Sequence, residues 1–513
     1  MDLDDNACYR AIVTRDRRFD GRLFIAVRTT GVYCRPVCPA RTPKRENVRF
    51  FASAAAAQEA GFRPCLRCRP ETSPDLGAWR GTSNTVSRAL ALIEAGGLDE
   101  VGIEALCERL GVGERQLRRL FKQHLGASPV AVAQTRRVLL AKQLIHDTHL
   151  PMAQVALAAG FGSVRRFNET FQALYGRPPG DLRRSKRPDV AAAGELALRL
   201  PYRTPYDWNA ILSFLAARAI PLVESVRDNT YARTVHLDGA SGAIFVEQTD
   251  GAFLKVTVRF PRLASLPAII SRVRRVFDLA ADPSVIGAHL SEDETLAPLV
   301  AARPGLRVPG AWDGFELAIR AILGQQITVA AARGLAAKLV AAFGTPLDDE
   351  RANAAGLTRV FPEATRLARA DLSILGMPRA RIQALQSLAR AQIADPALFD
   401  VRRDLDEAIE QLCALQGIGA WTAQYIAMRQ LRESDAFPVG DVALLRALTN
   451  IRGARVTPQE MLKHAERWRP WRAYAALHLW ASLAKVAPLP APARKRIRAI
   501  QNSSGASLDR SVA

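Results

Sequence analysis

The sequence predicts a multidomain, mainly α-helical protein, and three observations lead to this fold class. Its 513 residues suffice for three or four domains. Apolar residues recur with helical spacing through residues 84–184 and 268–487, whereas strand-like alternation is confined to 196–260. Four of the seven cysteines form two close pairs within a short N-terminal stretch that cannot bury a large core. We therefore predict a small α+β domain that contains the cysteines, an all-α domain and a larger α+β part.

Two polar stretches separate these parts. ETSPDLGAWRGTS at 71–83 and SKRPDVAAAGE at 185–195 are typical of linkers. The C-terminal stretch APARKRIRAIQNSSGASLDRSVA is basic and then serine-rich, and we expect it to be disordered. The predicted domains are residues 1–75, 84–184, 196–270 and 271–490, followed by the tail at 491–513.

Charge and composition narrow the class of partner. The chain has 71 Lys and Arg against 50 Asp and Glu, a net charge of +21, and such an excess favours a nucleic acid partner. The first residues, MDLDDNACYR, are acidic and lack the apolar core of a signal peptide, and no apolar run reaches membrane-spanning length. An odd number of clustered cysteines argues against a secreted disulfide scaffold. We expect a cytoplasmic, nucleoid-associated protein that contacts no membrane.

The two cysteine pairs have the spacing of metal ligands. Cys34-x3-Cys38 is followed after 26 residues by Cys65-x2-Cys68. Two close pairs joined by a loop can bring four thiolates to the corners of a tetrahedron, which suits one zinc ion. Cys8 has no partner in this pattern, and we expect it to be unliganded. The spacing alone leaves open whether the zinc site is structural or reactive.

The sequence around these cysteines, VRTTGVYCRPVCPARTPKRENVRF and GFRPCLRCRP, resembles the N-terminal domain of the Ada DNA-repair family. The resemblance implies that Cys34 is both a zinc ligand and the acceptor of a methyl group from a DNA methylphosphotriester. Zinc with four thiolates carries a net charge of −2, so a thiolate can stay nucleophilic at neutral pH. Basic side chains nearby would hold the DNA backbone: Arg35, Arg41, Lys44 and Arg45. A plain zinc ribbon is the alternative.

Two helix-turn-helix patterns follow. GIEALCERLGVGERQLRRLFKQHLG turns at Leu110–Gly113, and MAQVALAAGFGSVRRFNETFQALYG turns at Gly160–Ser163. The pair resembles the DNA-binding domain of AraC-type transcription regulators, which implies promoter DNA and RNA polymerase as partners. Arginines at the start of each second helix are the candidates for DNA contact, with ordinary solvent-exposed side chains as the alternative. They are Arg118 and Arg119 in the first unit, with Arg115 and Gln116, and Arg165 and Arg166 in the second, with Asn168.

The third part contains a glycine-rich hairpin, Gln416-Gly417-Ile418-Gly419, between two helical runs. Glycines allow a close backbone approach, and helix-start amides can face a phosphate. Asp441 follows Gly419 by 22 residues. With FELAIRAILGQQIT and ERWRPWRAYAALHLW, this stretch resembles the AlkA-type 3-methyladenine DNA glycosylase II family of the helix-hairpin-helix superfamily. The resemblance covers about 196–490 and implies a small antiparallel sheet followed by a helical bundle.

The resemblance implies site residues in this part. Trp421, Tyr425 and Trp480 would line the pocket for the flipped base, because electron-rich rings attract cationic alkylpurines. Asp441 would stabilise the oxocarbenium-like sugar or orient water, and it can also cap the helix VALLRAL. Gly417 and Gly419 would contact the DNA backbone. Backbone carbonyls near Cys413, Leu415 and Gly417 would hold a monovalent cation.

Two departures bear on the chemistry. The family has an aliphatic wedge at the position of Gln326, so the residue that fills the gap in the duplex is left open among Gln325, Gln326 and Ile327. Strand-cutting relatives carry a hairpin lysine where this chain has Trp421. Without that amine no Schiff base forms, which predicts base removal without strand cleavage.

The sequence therefore predicts a monomeric alkylation-damage protein. It would excise alkylated purines from double-stranded DNA, accept a methyl group once at Cys34 and regulate transcription. One alternative is a transcription regulator whose glycosylase-like part only binds DNA; another is a glycosylase tethered to DNA by its zinc module. The base preference among alkylated and deaminated purines, the operator sequence and the cooperation of the domains stay open.

Overall fold

A computed structural model of the chain describes residues 4–74, 84–99, 101–183, 195–400 and 405–483. The predicted tail at 491–513, and residues 75–83 and 185–194 of the predicted linkers, lie outside the described residues. Within the described ranges, none of the helices combines the length and the hydropathy needed to cross a bilayer. The predicted fold class, multidomain and mainly α, is confirmed.

The N-terminal part is a four-stranded sheet with two helices. Its sheet order is β3-β1-β2-β4, in which β2 and β4 pair in parallel and the other neighbours are antiparallel. This parallel pairing matches Tyr33 with Pro64, so the residues that follow, Cys34 and Cys65, leave the sheet side by side. The elements are α1 (Asp5–Val13), β1 (Phe24–Val27), β2 (Val32–Cys34), β3 (Val48–Phe51), α2 (Ala54–Glu59) and β4 (Arg63–Pro64).

The second part contains the two predicted helix-turn-helix units. Gly111 ends the first helix of the first unit with φ of +66°, a conformation that glycine adopts without strain, and Gly160 has φ of +85° in the second unit. A 19-residue helix joins the units. The helices are α3 (Asn84–Glu94), α4 (Ile103–Leu110), α5 (Glu114–Leu125), α6 (Pro129–Asp147), α7 (Met152–Ala158) and α8 (Val164–Tyr175).

The third part begins with a five-stranded antiparallel sheet in the order β5-β9-β8-β7-β6. The alternating runs 195–202, 243–249 and 253–260 were expected as strands and correspond to β5, β8 and β9, whereas β6 and β7 were not expected. Residues 231–235 of β7 are all buried, Arg233 and Thr234 included, so the polar–apolar alternation of a half-buried strand is missing. The elements are β5 (Leu196–Pro201), α9 (Trp208–Arg218), β6 (Glu224–Arg227), β7 (Thr230–Leu237), β8 (Ala240–Gln248) and β9 (Phe253–Arg259).

A helical bundle follows, interrupted by one pair of two-residue strands. Its helices up to the hairpin are α10 (Leu266–Val276), α11 (Pro283–Leu290), α12 (Ala297–Ala302), α13 (Gly314–Leu323), α14 (Val329–Phe343), α15 (Glu350–Ala354), α16 (Ala364–Leu367), α17 (Arg379–Ala394) and α18 (Leu405–Cys413), with β10 (Thr345–Pro346) and β11 (Arg359–Val360). After the hairpin come α19 (Ala420–Ile426), which continues as a π-helical turn (Ala427–Leu431), then α20 (Val442–Arg452), α21 (Pro458–Ala465) and α22 (Arg472–Leu483).

The parts pack against one another. One apolar cluster runs from α6–α8 through the five-stranded sheet to α10 and Trp312. In the C-terminal half of α6, the ammonium of Lys142 donates hydrogen bonds to Glu71 Oε2 (2.6 Å) and to the carbonyl of Cys65 (2.8 Å) of the N-terminal part. Both side chains are buried, with 0% and 1% exposure. Residues 71–74, expected to begin a linker, therefore belong to the folded N-terminal part.

The Glu71–Lys142 pair yields a stability prediction. Glu71→Gln is expected to lower the free energy of unfolding by about 3–5 kcal/mol, because Lys142 keeps a buried charge without its carboxylate. The double variant Glu71→Gln/Lys142→Met is expected to recover part of that loss. Chemical denaturation measures both, with Glu466→Gln as a control, since Glu466 is half exposed. A loss no greater than that of the control would contradict the prediction.

Candidate active site and zinc site

Asp441 lies at the start of α20, after a turn in which Gly440 has φ of +82°. Its Oδ1 atom accepts a hydrogen bond from the backbone N–H of Leu444 (2.8 Å), so the carboxylate caps the helix. The residue is half-buried, and the neighbouring Val442 is 79% exposed. The carboxylate therefore lies at an accessible edge of the bundle and not in packed interior.

Two indole N–H groups converge on this carboxylate. Trp421 Nε1, from α19, donates to Asp441 Oδ2 at 2.9 Å, and Trp480 Nε1, from α22, donates to Oδ1 at 3.0 Å. Trp421 stacks on Tyr425, with ring centroids 5.2 Å apart and 11° between the planes. Trp421 is 36% exposed, while Trp480 and Tyr425 are half-buried. The structure thus brings together all four residues predicted for the base pocket and catalysis.

The phenol oxygen of Tyr425 faces two guanidinium groups. Arg429 Nη1 donates to it at 2.7 Å, and Arg218 is close enough for its positive charge to act on the phenol. Burial alone would raise the pKa of Tyr425, but the two positive charges outweigh it and lower the pKa below its ordinary value. Arg429 is buried and also donates to the carbonyls of Pro309 and Gly310.

The hairpin approaches α17 closely. Gly417 has φ of +84°, and a Cβ atom there would lie 2.5 Å from the Cβ of Ala384, so no larger residue fits without a shift. Gly419 precedes α19, is exposed, and a Cβ there would meet no atom within 4 Å. Packing therefore requires Gly417, whereas Gly419 leaves open space at the surface.

The predicted wedge loop joins α13 to α14 beside this hairpin. Gln325 Nε2 donates to the carbonyl of Gly417 at 2.8 Å, which ties the loop to the hairpin. Gln326 is exposed with φ of +60°, a strained conformation for a residue with a side chain, and Ile327 is 38% exposed. Of the three wedge candidates, Gln325 is held by its hydrogen bond to the hairpin, whereas the side chains of Gln326 and Ile327 are exposed at the surface.

The four predicted zinc ligands come together. The Sγ atoms of Cys34, Cys38, Cys65 and Cys68 all lie within 4.8 Å of one another. A tetrahedral zinc site with Zn–S bonds of about 2.3 Å has sulfur atoms about 3.8 Å apart, so the donor set and its spacing fit zinc. Cys65 and Cys68 are buried, whereas Cys34 and Cys38 are half-buried. Cys8 is buried in α1 and is not part of this group.

Backbone N–H groups donate to two of these sulfurs. Arg35 N donates to Cys68 Sγ (3.4 Å), and Arg67 N donates to Cys65 Sγ (3.3 Å). In the part of the chain that the structure describes, no backbone donor to Cys34 or to Cys38 is found. The four sulfurs are therefore not equivalent.

One predicted DNA contact in this part is wrong. The guanidinium of Arg35 pairs with Asp20 and donates to Thr72 Oγ1 at 2.6 Å, so it holds the zinc part together and does not face outward. Arg41 and Lys44 are exposed, as expected for phosphate contacts. Arg45 Nη2 donates a hydrogen bond to Asp5 Oδ2 at 2.8 Å, so part of this guanidinium is already paired.

The helix-turn-helix arginines are exposed. Arg118 and Arg119 lie on the outer face of α5, and Arg165 and Arg166 lie on that of α8. Two of them form helical ion pairs at the surface, Arg118 with Glu114 and Arg165 with Glu169. Such pairs are weak, so DNA phosphates can replace the carboxylates.

Comparison with known proteins identifies the parts. A protein of Mycobacterium tuberculosis strain H37Rv, named "Probable bifunctional transcriptional activator/DNA repair enzyme AlkA", is 41% identical over 488 residues, which cover 94% of this chain and 97% of that protein. The chain belongs to this family. Four family models match the chain: the metal binding domain of Ada at 7–71, a helix-turn-helix domain at 106–185, the AlkA N-terminal domain at 197–313, and the HhH-GPD superfamily of base excision DNA repair proteins at 319–473.

Relatives of single parts are also found. DNA-3-methyladenine glycosylase 2 of Escherichia coli K12 is 36% identical over 288 residues, which cover 55% of this chain and 95% of that enzyme. The Ada protein of the same strain, a bifunctional transcriptional activator and DNA repair enzyme, is 40% identical over 135 residues, 26% of this chain and 37% of that protein. A 3-methyladenine DNA glycosylase structure from Archaeoglobus fulgidus has a TM-score of 0.50 at 23% identity, covering 55% of this chain and 97% of that one, and indicates a shared fold. The resemblances drawn from the sequence are confirmed.

Two charged groups of this site, Arg429 and Arg218, were not predicted from the sequence. Trp421, Tyr425 and Arg429 follow one another at intervals of four residues. This helical spacing places the three side chains on one face, so the contact between Arg429 and Tyr425 could have been predicted from it. Arg218 comes from α9, 207 residues before Tyr425, and nothing local in the sequence indicates the contact.

Proposed function

We propose that this chain excises alkylated purines from double-stranded DNA by hydrolysis of the N-glycosidic bond, accepts one methyl group at Cys34, and regulates transcription from promoter DNA. The observation that carries the first activity is the accessible carboxylate of Asp441 held by both indole N–H groups. Domain boundaries at 1–75, 84–184, 196–270 and 271–490 are part of the proposal.

The proposed excision uses the four assembled residues as follows. The flipped base stacks on the exposed face of Trp421, while Gln326 or Ile327 fills the gap that it leaves in the duplex. As the bond between base and sugar lengthens, Asp441 stabilises the positive charge that develops on the sugar. Three N–H donors, from Leu444, Trp421 and Trp480, fix the direction of that carboxylate. Water then adds to the sugar, and an abasic site remains.

Strand breakage tests the hydrolytic mechanism. Trp421 stands in the hairpin where a lyase would have its lysine, so abasic sites are expected to accumulate in intact strands. Duplex DNA treated with dimethyl sulfate and then with the chain should release free methylated purine, and strand breaks should appear only after alkali. Release of purine with immediate strand cleavage would contradict the mechanism, and no release would favour a regulator that only binds DNA.

The proposed methyl transfer uses Cys34 as nucleophile. Zinc held by the four cysteines would keep the thiolates deprotonated at neutral pH. N–H donors draw electron density from the sulfurs of Cys65 and Cys68, which leaves Cys34 and Cys38 as the more nucleophilic and more accessible pair. Of these two, the resemblance to Ada points to Cys34. Its sulfur forms a bond to the methyl carbon, the carbon–oxygen bond of the phosphotriester breaks, and an ordinary phosphodiester anion leaves. The product is a stable thioether, so transfer occurs once.

The remaining partners are proposed on the same basis. Exposed Arg118, Arg119, Arg165 and Arg166 support promoter binding, and RNA polymerase is proposed as the partner of the bound activator. We also propose a monomer in the cytoplasm, associated with the nucleoid, since its substrate is chromosomal DNA. A monovalent cation at the carbonyls of Cys413, Leu415 and Gly417 would stabilise the hairpin; the Gly417 carbonyl has one lone pair left beside its bond to Gln325.

A further inference from the structure

Two positive charges lie behind the proposed base pocket. Trp421, Tyr425 and Arg429 follow one another at four-residue intervals along α19 and its π-helical continuation. Trp421 stacks on Tyr425, and the Arg429 guanidinium reaches the phenol oxygen at 2.7 Å from the inner side. Arg218, from α9, places a second positive charge near the same phenol, and its charge also lowers the pKa of Tyr425.

These two guanidinium groups have no carboxylate partner among the described residues. Both guanidinium groups lie instead over the ring of Phe214. The distance from Cζ to the ring centroid is 3.8 Å for Arg218 and 4.9 Å for Arg429. Two other arginines of the same region are paired: Arg233 and Arg320 both bind Glu316, at 2.8 Å and 2.7 Å. Buried charges are normally paired, so this uncompensated pair of charges beside the site calls for a role.

We propose that Arg218 and Arg429 set the base preference of the pocket by opposing the binding of cationic alkylpurines relative to uncharged purines. The inference rests on the proposed excision and concerns the relative rates at which this pocket excises the two classes of base. The two arginines act through their charges, from behind Tyr425.

The physical reason is a balance of charges. The carboxylate of Asp441 and the face of Trp421 attract a base that carries a positive charge. Two guanidinium groups behind the half-buried ring of Tyr425 repel the same charge, and near a protein surface Coulomb interactions are stronger than in bulk solvent. A neutral purine feels neither effect strongly and relies on stacking. The arginines therefore reduce the difference in excision rate between cationic alkylpurines and neutral purines.

Paired substrates test this inference. Single-turnover excision is measured on duplexes that carry either one 7-methylguanine, which is cationic, or one hypoxanthine, which is neutral. The readout is the ratio of the two rates for each variant, divided by the same ratio for the wild type, which cancels the intrinsic lability of each base. Arg429→Met and Arg218→Met are each expected to raise the ratio about tenfold, as removal of one nearby positive charge predicts. Arg429→Lys and Arg218→Lys keep the charge and are expected to leave the ratio within about twofold of wild type.

Controls separate charge from structure. Arg455→Met removes an exposed charge of the same bundle and is expected to leave the ratio unchanged. The absorbance of ionised tyrosine, followed against pH, gives a second readout: Arg429→Met is expected to raise the pKa of Tyr425, which Arg429 lowers in the native protein. Unchanged ratios in both methionine variants, or a raised ratio in the lysine variants, would overturn the inference while excision itself stands. If the wild-type chain excises neither base, the result instead contradicts the proposed function itself.

Discussion

A Cys34→Ser variant is expected to take up no methyl group from methylphosphotriester DNA, whereas the wild-type chain takes up one. A serine hydroxyl is a much weaker nucleophile than a zinc-bound thiolate, and Cys34 is one of the two half-buried sulfurs without a backbone N–H donor in the described structure. Radiolabelled methyl groups on the DNA allow transfer to the protein to be counted after denaturation.

Two matched variants control this prediction. Cys8 and Cys107 are buried and lie outside the group of four, so Cys8→Ser and Cys107→Ser should each still accept one methyl group. Methylation also reduces the charge of the zinc site from −2 to −1, which weakens its repulsion of phosphates. Gel-shift affinity for promoter DNA is therefore expected to rise on methylation in the wild type and not in Cys34→Ser. Methyl transfer to the Cys34→Ser protein would contradict the assignment.

Asp441→Asn is expected to reduce the single-turnover rate of base excision about a thousandfold or more, because it removes the charge that opposes the developing cation on the sugar. Asparagine still caps α20, so the fold and its melting temperature should change little. Trp421→Phe and Trp480→Phe keep the rings and remove one N–H donor each, and we expect losses of about tenfold from the freed carboxylate.

Asp371→Asn is the control for this change. Asp371 caps a turn in the same bundle and is exposed, far in sequence from the hairpin, so its variant should excise at the wild-type rate. Binding to an abasic duplex separates catalysis from affinity, since Asp441→Asn should still bind. An Asp441→Asn rate within tenfold of wild type would contradict the role of this carboxylate.

Local patterns predicted the parts of the site that lie close in sequence. The cysteine spacing gives the zinc ligands, and the hairpin with Asp441 22 residues beyond it gives the capped carboxylate. Trp421 and Tyr425, four residues apart, form a stack on one helix. Trp480 lies on another helix, and only its family resemblance allowed it to be predicted.

Contacts between distant segments could not be read from the sequence. Arg35 was expected to face phosphate, but Asp20 and Thr72 hold it inside, and a count of charges does not indicate which arginines have partners. The β7 strand was missed because its consecutive buried residues lack alternation, and the partner that permits a buried Arg233, Glu316, lies 83 residues away. Likewise, Lys142 and Glu71 are 71 residues apart.

Two readouts on one methylated duplex test most directly whether this chain carries two separate chemistries. Protein-bound methyl groups report Cys34, and alkali-sensitive abasic sites report Asp441. Cys34→Ser should lose the first signal and keep the second, and Asp441→Asn should do the reverse. Abasic sites formed by Asp441→Asn at the wild-type rate, or no abasic sites from the wild-type chain, would contradict the assignment of excision to this carboxylate.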